Sequence, residues 1–536
     1  MENLNVALPP ALMYDSAESR AMLSTRRTVS IKPTTGTSVG SAGSGASSSD
    51  IIQFKLPNSG VMADCYLRYT IVADVDTPVA TSGSAFRTDG LVADPFAPSA
   101  GPIRRLVVQS SDGTELSNCN NYHHYCSLMA RFKNSQEYSD NQGSILEGCP
   151  SLPASVGTNT VGRGARTNFA NNENTDGGGA VGASALRIQA VREYEDAEKR
   201  LNCKLNKTSG QADGSTGDGS TCGWHGEVEG VVHKFQTGIL DQKEGHMLPL
   251  ALLGSGMNVF LHLNEAKDFL RAVPLNAIVP DTNSNSLNAL ELFPRSPTGI
   301  TYSLKDIEMV CSLVYYSPEV MSSIQDKLCN GLKVRTDRVR NQINACTQES
   351  NVITLNEHAR SVNAVLFGVK NSQDSGSIIR DENEYYKTPT SAGSSVKQAQ
   401  LAIGAENVPT NPCKFGAQSY CELEKALKAV FDEDFKIGNQ VRAGDYHKDR
   451  RQDAEQATGG GAGARVGSAV MGFNLKSHPE IPSIMSGKSA SSGSIPISLT
   501  LDFDGSSSLS NAQVESFVIS DQVVEFLADG SALVHK

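Results

Sequence analysis

The sequence predicts a mainly all-β protein of sandwich or jelly-roll type, and three observations carry that expectation. Apolar residues recur on alternate positions in many short runs, the period of strands covered on one or both faces. Helix-period stripes are few, short and out of step with the strands, which argues against a doubly wound parallel sheet. Between the apolar runs lie long tracts rich in Gly, Ser, Asn and Thr, where the 48 glycines gather. Tracts of that length in a strand-built chain read as elaborated surface loops.

Residues 1–50 read as a flexible N-terminal arm. A short helix is expected to start at Asp15 or Ser16 and run through Ala17, Met22 and Leu23. A basic cluster (Arg26, Arg27, Lys32) follows, then the tract GTSVGSAGSGASSSD, of linker composition. From residue 51 the texture turns apolar and β-branched: IIQFKLP, VMADCYLRYTIVADV and PIRRLVVQSSDGTEL, with Asp112-Gly113 as a turn signal. CNNYHHYCSLMARF predicts a helix with Tyr122, Cys126 and Met129 on one side. Residues 133–222 read as a long inserted loop, broken only by a stripe of Ile188, Val191 and Tyr194. Strands resume in GEVEGVVHKFQTGIL, HMLPLALLG and GMNVFLHLNEA, and residues 272–300 form another polar connection.

At the midpoint, SLKDIEMVCSLVYYSPEVMSSIQDKL changes period. Ile307, Met309, Cys311 and Leu313 alternate as in a strand, with Val310 and Val314 on the other face. At Ser317-Pro318-Glu319 a helix is expected: serine can cap, proline suits the first position and an acid suits the dipole. Val320, Ile324 and Leu328 then recur every four residues.

After residue 330 the plan repeats. Strands are expected near Asn351–Leu355 and Ser361–Lys370, a polar loop over about 371–412, and a helix in CELEKALKAVF through Leu423, Leu427 and Val430. A charged and glycine-rich loop covers about 444–468. AVMGFNL, IPISLTLDF and ESFVISDQVVEFLADGSALVH close the chain as strands, with Asp529-Gly530 as a hairpin turn. The expected division is therefore 1–50, 51–330 and 331–536.

Net charge is −11 with a pI near 5.5, so any basic face that grips nucleic acid would have to be local. No apolar run approaches the roughly 18 residues of a membrane span. The N-terminus lacks the basic start and apolar core of a secretory signal. The eleven cysteines, odd in number and irregularly spaced, are accordingly read as reduced thiols.

The motifs of chemically able residues all favour a plain structural reading. Cys119 and Cys126 enclose His123 and His124, but six intervening residues fit neither a zinc turn nor a helical ligand pair. The tract Gly459–Gly467 resembles a dinucleotide loop only superficially, because no buried strand precedes it. His225, His233, His246 and His262 share a strand-rich region without an accompanying carboxylate pattern. No G-x-S-x-G stands between a predicted strand and a helix, since GTSVG lies in the linker-like tract. Trp224 is the single tryptophan, and Arg26-Arg27 reads as a solvated pair. No catalytic, cofactor-binding or metal residue is assigned, and no enzyme or cofactor is expected.

Four stretches resemble the double jelly-roll major capsid proteins of icosahedral double-stranded DNA viruses, of the polinton-like, virophage and algal-virus type. HMLPLALLGSGMNVFLHLNEA is similar to a Leu-Pro-Leu strand and the next strand late in that family's first barrel. DIEMVCSLVYYSPEV looks like the last strand of barrel one entering the connection. GFNLKSHPEIPSIMSGKSASSGSIPISLTLDF and SFVISDQVVEFLADGSALVHK look like strands and the closing hairpin of barrel two. The resemblance implies two consecutive eight-stranded jelly rolls with short helices and long surface loops. It also implies homotrimeric, pseudo-hexagonal capsomers in a virion shell around double-stranded DNA, with penton and minor capsid or cement proteins as further partners. Sequence-specific nucleic-acid binding is not expected. The arm would face inward or reach a neighbour, so deleting residues 1–40 is expected to spare trimers and impair shell closure. The alternatives are another viral structural protein, such as a single jelly-roll capsid or spike, and a jelly-roll metal enzyme or sugar-binding protein.

Overall fold

In the computed structural model of the chain, the described residues are 24–35, 39–41, 51–75, 88–92, 96–135, 224–241, 247–253, 256–274, 300–329, 332–374, 383–390, 393–431, 443–449, 467–478, 485–490, 496–505, 509–527 and 531–536, with a few single positions between. The expected helix near Asp15, the Ile188–Tyr194 stripe, the tract 459–466 and the Asp529-Gly530 turn lie outside them.

The first half contributes β1 (Ser24–Ile31), β2 (Val39–Ser41), β3 (Ile51–Lys55), β4 (Val61–Val75), β5 (Thr88–Val92), β6 (Ile103–Ser110), β7 (Glu115–Asn120), β8 (Trp224–Lys234), β9 (Met257–Leu263), β10 (Arg271–Pro274) and β11 (Ile300–Tyr316). Two sheets hold eight of these, in the orders β1-β11-β4-β8 and β3-β9-β6-β7, while β2 extends the first sheet beside β11 and β5 pairs β10. The second half contributes β12 (Leu332–Ala345), β13 (Ser350–Leu355), β14 (Val362–Asn371), β15 (Ser395–Ile403), β16 (Glu406–Lys414), β17 (Val470–Asn474), β18 (Ile497–Asp504), β19 (Ala512–Phe526) and β20 (Ala532–His535). Its sheets run β12-β19-β14-β17 and β13-β18-β15-β16, with β20 beside β19.

Numbered one to eight within each half, the sheet strands fall in the same order twice: first-eighth-third-sixth and second-seventh-fourth-fifth. That permutation, with antiparallel neighbours throughout, is a jelly roll of two four-stranded sheets. Every described strand pairs with a partner on its own side of residue 330. Among the described residues, three helices of twelve or more residues complete the frame: α1 (Tyr122–Lys133), α2 (Pro318–Cys329) and α3 (Ala417–Phe431). α1 and α3 occupy equivalent places, each between the fifth and sixth strand of its barrel. The halves are alike in fold without a visible sequence repeat.

The local logic is that of the sequence. In β11, Ile307, Met309, Cys311 and Leu313 are all buried in the first barrel's core. Its period ends where Pro318 opens α2, whose Glu319, Ser322, Ser323, Gln325 and Asp326 are exposed. Gly113, at φ +87°, makes the turn between β6 and β7. There the Gly113 amide donates to the Ser110 carbonyl at 3.0 Å. Without a Cβ, glycine takes this left-handed conformation at little cost.

The structure corrects three expectations. The arm does not extend to residue 50, because β1 pairs β11 from Ser24↔Tyr316 to Ile31↔Met309 and is the first barrel strand. Its signal was faint since STRRTVSI is an edge strand with mostly exposed side chains. The loop expected over 371–412 contains β15 and β16. β15 turns Val396, Ala399, Leu401 and Ile403 inward with a register shift that breaks strict alternation. β16 is an exposed edge held by backbone pairing. Leu248-Pro249-Leu250 is an isolated bridge to Met62 followed by a 3₁₀ turn, not a strand. Proline supplies no ladder donor there.

The core shows how the two halves are joined. The second barrel has its own interior, built on Val365, Phe367, Val369, Leu401, Phe473, Leu499 and Leu501. The first barrel's core, however, does not close on itself. It continues through α1 to Ala364, Leu366, Leu423, Leu427, Phe517 and Ile519 of the second half. β14 therefore faces apolar surroundings on both sides, and all ten of its residues are buried. AVLFGV reads as a continuous apolar run for that reason.

Candidate functional site: the seam between the barrels

The seam is built on α1. Eleven of its twelve residues, Tyr122 to Phe132, are buried, including His123, His124 and Arg131. A surface helix would show one apolar stripe; α1 is enclosed on every side, so its polar groups need partners inside the protein.

His124 sits opposite Glu515 of β19, with Nδ1 2.8 Å from Oε1. The same oxygen accepts from Asn341 Nδ2 of β12 at 2.8 Å. Oε2 accepts from Lys370 Nζ of β14 at 2.9 Å and from the Tyr385 hydroxyl at 3.0 Å. Asn121, just before α1, donates to Asn341 Oδ1 at 2.8 Å. Burial of Glu515 pushes its carboxyl pKa upward, but His124 and Lys370 outweigh that and hold it well below the usual carboxylate range. The carboxylate is thus ionised and ringed by donors from two strands, the Tyr385 segment and the helix.

Arg131 anchors the far end of α1. Its guanidinium donates to the carbonyls of Gly467 at 2.8 Å and Asn383 at 2.9 Å, both in the second half. The same group lies 4.4 Å from the Phe96 ring centroid and 5.5 Å from that of Tyr385. A planar cation with several donors can satisfy carbonyls at its edge while its face meets aromatic rings. Gly467 must be glycine for the same close packing, since a Cβ there would stand 2.5 Å from the Tyr385 carbonyl oxygen.

On the side of the first barrel, the Tyr122 hydroxyl lies 3.0 Å from His233 Nε2, and Ser99 Oγ lies 3.0 Å from His233 Nδ1. Burial pushes the His233 pKa down to about 3. This histidine is a neutral spacer between two hydroxyls. A further buried carboxylate, Asp521, receives Arg335, Ser361 and Asn363 and ties β12, β14 and β19 together inside the second half.

Of the residues weighed from sequence, Cys119, His123, His124 and Cys126 fall at or beside α1 and are buried. Among the described residues, no three His, Cys, Asp or Glu side chains come together as a metal site. His233 is buried in the seam, and His262 lies on β9 beside Arg105 and Arg104. His246 lies outside the described residues, as does the side chain of His225. Arg26 pairs with exposed Asp64 at 2.8 Å, and Arg27 stacks over Tyr315. Sequence reasoning missed Glu515, Lys370 and Arg131. The available signal was a charge inside an apolar run: Glu515 between Val514 and Phe517, Lys370 after VLFGV, Arg131 between Ala130 and Phe132.

The seam joins two jelly rolls of one chain into a single body, so the class of protein defined is a double jelly roll. No protein-family model matches the sequence, and no curated protein matches it. The chain is similar in fold to a chain of the Sputnik virophage structure determined by cryo-EM, with TM-score 0.50, 11% identity, and 99% of this chain and 93% of that one covered. It also matches the major capsid protein of mavirus (TM-score 0.48, 11% identity, coverage 100% and 96%) and that of Faustovirus (TM-score 0.47, 8% identity, coverage 98% and 92%). The Sputnik likeness spans both barrels, and identities this low speak to fold alone.

Proposed function

We propose that this chain is the major capsid protein of an icosahedral double-stranded DNA virus, with a structural rather than catalytic role. The observation that carries the reading is the twofold use of one jelly-roll permutation in a single chain, locked by a buried seam. Such a body presents two parallel barrels as one rigid tile. Three copies around an axis place six barrels in a nearly hexagonal ring, and closed cyclic assembly of that kind is the common route for symmetric oligomers.

The loops support the same reading. In both halves the long tracts leave the barrel at corresponding places, after α1 and after α3. They can vary without disturbing the strands that tile. The net charge of −11 fits a shell lattice that encloses a genome without gripping its sequence. Penton and minor or cement proteins would fill the positions a hexagonal tile cannot. No helix among the described residues is long and apolar enough to cross a membrane. The division at about residue 330 belongs to this proposal, as does an inward-facing N-terminal segment, now confined to the residues before β1.

Native mass spectrometry of the purified chain at micromolar concentration tests it. A trimer that resists dilution supports the capsomer; a chain that stays monomeric at tens of micromolar overturns it.

A further inference from the structure

We propose that Cys65 and Cys311 form a reversible cross-strand disulfide that staples the two central strands of the first barrel. Cys65 on β4 and Cys311 on β11 are direct partners in the antiparallel register. Directly opposed residues in such a pair have Cα atoms about 4.5 or 5.5 Å apart, inside the range a disulfide spans. Both side chains point into the barrel, beside the Leu67 and Met309 pair of the same register, and both are buried in the core. Cys65 Sγ stands 4.0 Å from the Leu240 carbonyl oxygen, and the Cys311 thiol is the neighbour that most perturbs it. The mutual thiol contact, then burial, raises the Cys65 pKa well above its ordinary value, so the reduced pair is stable where thiols are kept reduced and reacts slowly.

The chemistry is two thiol–disulfide exchanges with a low-molecular-weight disulfide such as oxidised glutathione. One cysteine loses its proton to solvent and attacks the small disulfide, forming a mixed disulfide and releasing one small thiolate. The second cysteine, likewise deprotonated, attacks the sulfur of the first and releases the other. The protein gives up two electrons and two protons, and the oxidant becomes two thiols. The bond would link positions 65 and 311 and close a loop nearly half the chain long. Cross-links over long loops restrict the unfolded chain most. Because β4 and β11 lie in the middle of the sheet order β1-β11-β4-β8, the staple holds the barrel without touching its edges. It would stay open in a reducing cytosol and close in an oxidising medium. It does not depend on the assembly reading.

The full chain is produced both in a reducing cytosol and in a strain with an oxidising cytosol supplied with oxidised glutathione, so that oxidant reaches the pair during folding. Free thiols are alkylated in denaturant, and the digest is mapped without reductant. A linked peptide pair joining positions 65 and 311, with an intact mass lower by about 2 Da, is expected only in the oxidised sample. The oxidised protein should melt about 5 °C higher, a gain abolished by dithiothreitol. C65A and C311A should each lose the link and that gain while leaving the other cysteine alkylatable. Folded oxidised protein in which both cysteines remain fully alkylatable, or in which Cys65 links elsewhere, overturns the proposal. The map of the unsubstituted chain decides the matter even where a variant fails to fold.

Discussion

At the scale of single residues, the seam illustrates how a buried charge is kept. Glu515 is fully enclosed, and an isolated carboxylate there would be too costly to remain ionised. Lys370, His124 and two neutral donors keep it so. Removing the charge leaves Lys370 and His124 facing a neutral amide, so E515Q is expected to lose about 3 kcal/mol of stability, measured by chemical denaturation near neutral pH. The pH dependence follows from the depressed pKa. A carboxyl with a folded value below its unfolded one contributes stability fully above about pH 5 and loses it as pH falls through the folded value. The unsubstituted chain should therefore show a steeper acid limb below pH 5 than E515Q, in melting curves collected from pH 7 to pH 3. Equal slopes would mean that Glu515 is not the ionised hub described. Arg131 differs, since its partners are carbonyls and rings. R131K keeps the charge and loses the planar fork, with an expected cost of about 2 kcal/mol and little change in pH slope.

At the scale of elements, β1 changes the meaning of the N-terminus. Deleting residues 1–40 does not trim an arm; it removes the first strand of a barrel and bares the edge of β11, a ready template for unwanted pairing. Deletion of 1–23 is expected to leave the melting temperature within about 2 °C of the full chain, whereas deletion of 1–31 should give soluble aggregates on size-exclusion chromatography. Any effect of the shorter deletion on particle formation alone would then report on assembly. α3 shows how little room the second sheet leaves. A Cβ on Gly472 would stand 2.6 Å from Leu366 Cδ2 and 3.1 Å from Ala426 Cβ. G472V should therefore wedge α3 off the sheet and lower stability by roughly 1–3 kcal/mol, as overpacking does, read by the same denaturation assay.

At the scale of the whole molecule, the shared core makes the two barrels one cooperative body despite their separate sheets. Residues 331–536 expressed alone would expose the face carrying Leu366, Leu423, Phe517 and Ile519. An apolar surface of that kind drives association. That fragment is expected to aggregate or bind chaperones, and the full chain to melt in a single transition by calorimetry. Two well-separated transitions would mean that the seam is weaker than its burial implies. A single rigid body is also what the proposed capsomer would need, because a hinge between barrels would blur the angles between tiles.

Much of the fold was legible in the sequence because strand periodicity and helix caps are local. Ile307 to Leu313 announced β11, Ser317-Pro318-Glu319 announced α2, and the spacing of Leu423, Leu427 and Val430 announced α3. Strands that lie on edges with polar faces, such as β1 and β16, carry no such period, since backbone hydrogen bonds alone recruit them and any side chain can point to water. The buried seam was illegible for a different reason. Glu515, His124, Lys370 and Arg131 are scattered over the whole chain, and nothing local tells a buried charge from a solvated one. The sequence by itself determined the two β-rich halves and the junction between them. Only the tertiary structure decided that those halves share a core around α1, because which charges meet depends on long-range register and on the enclosure that strips them of water.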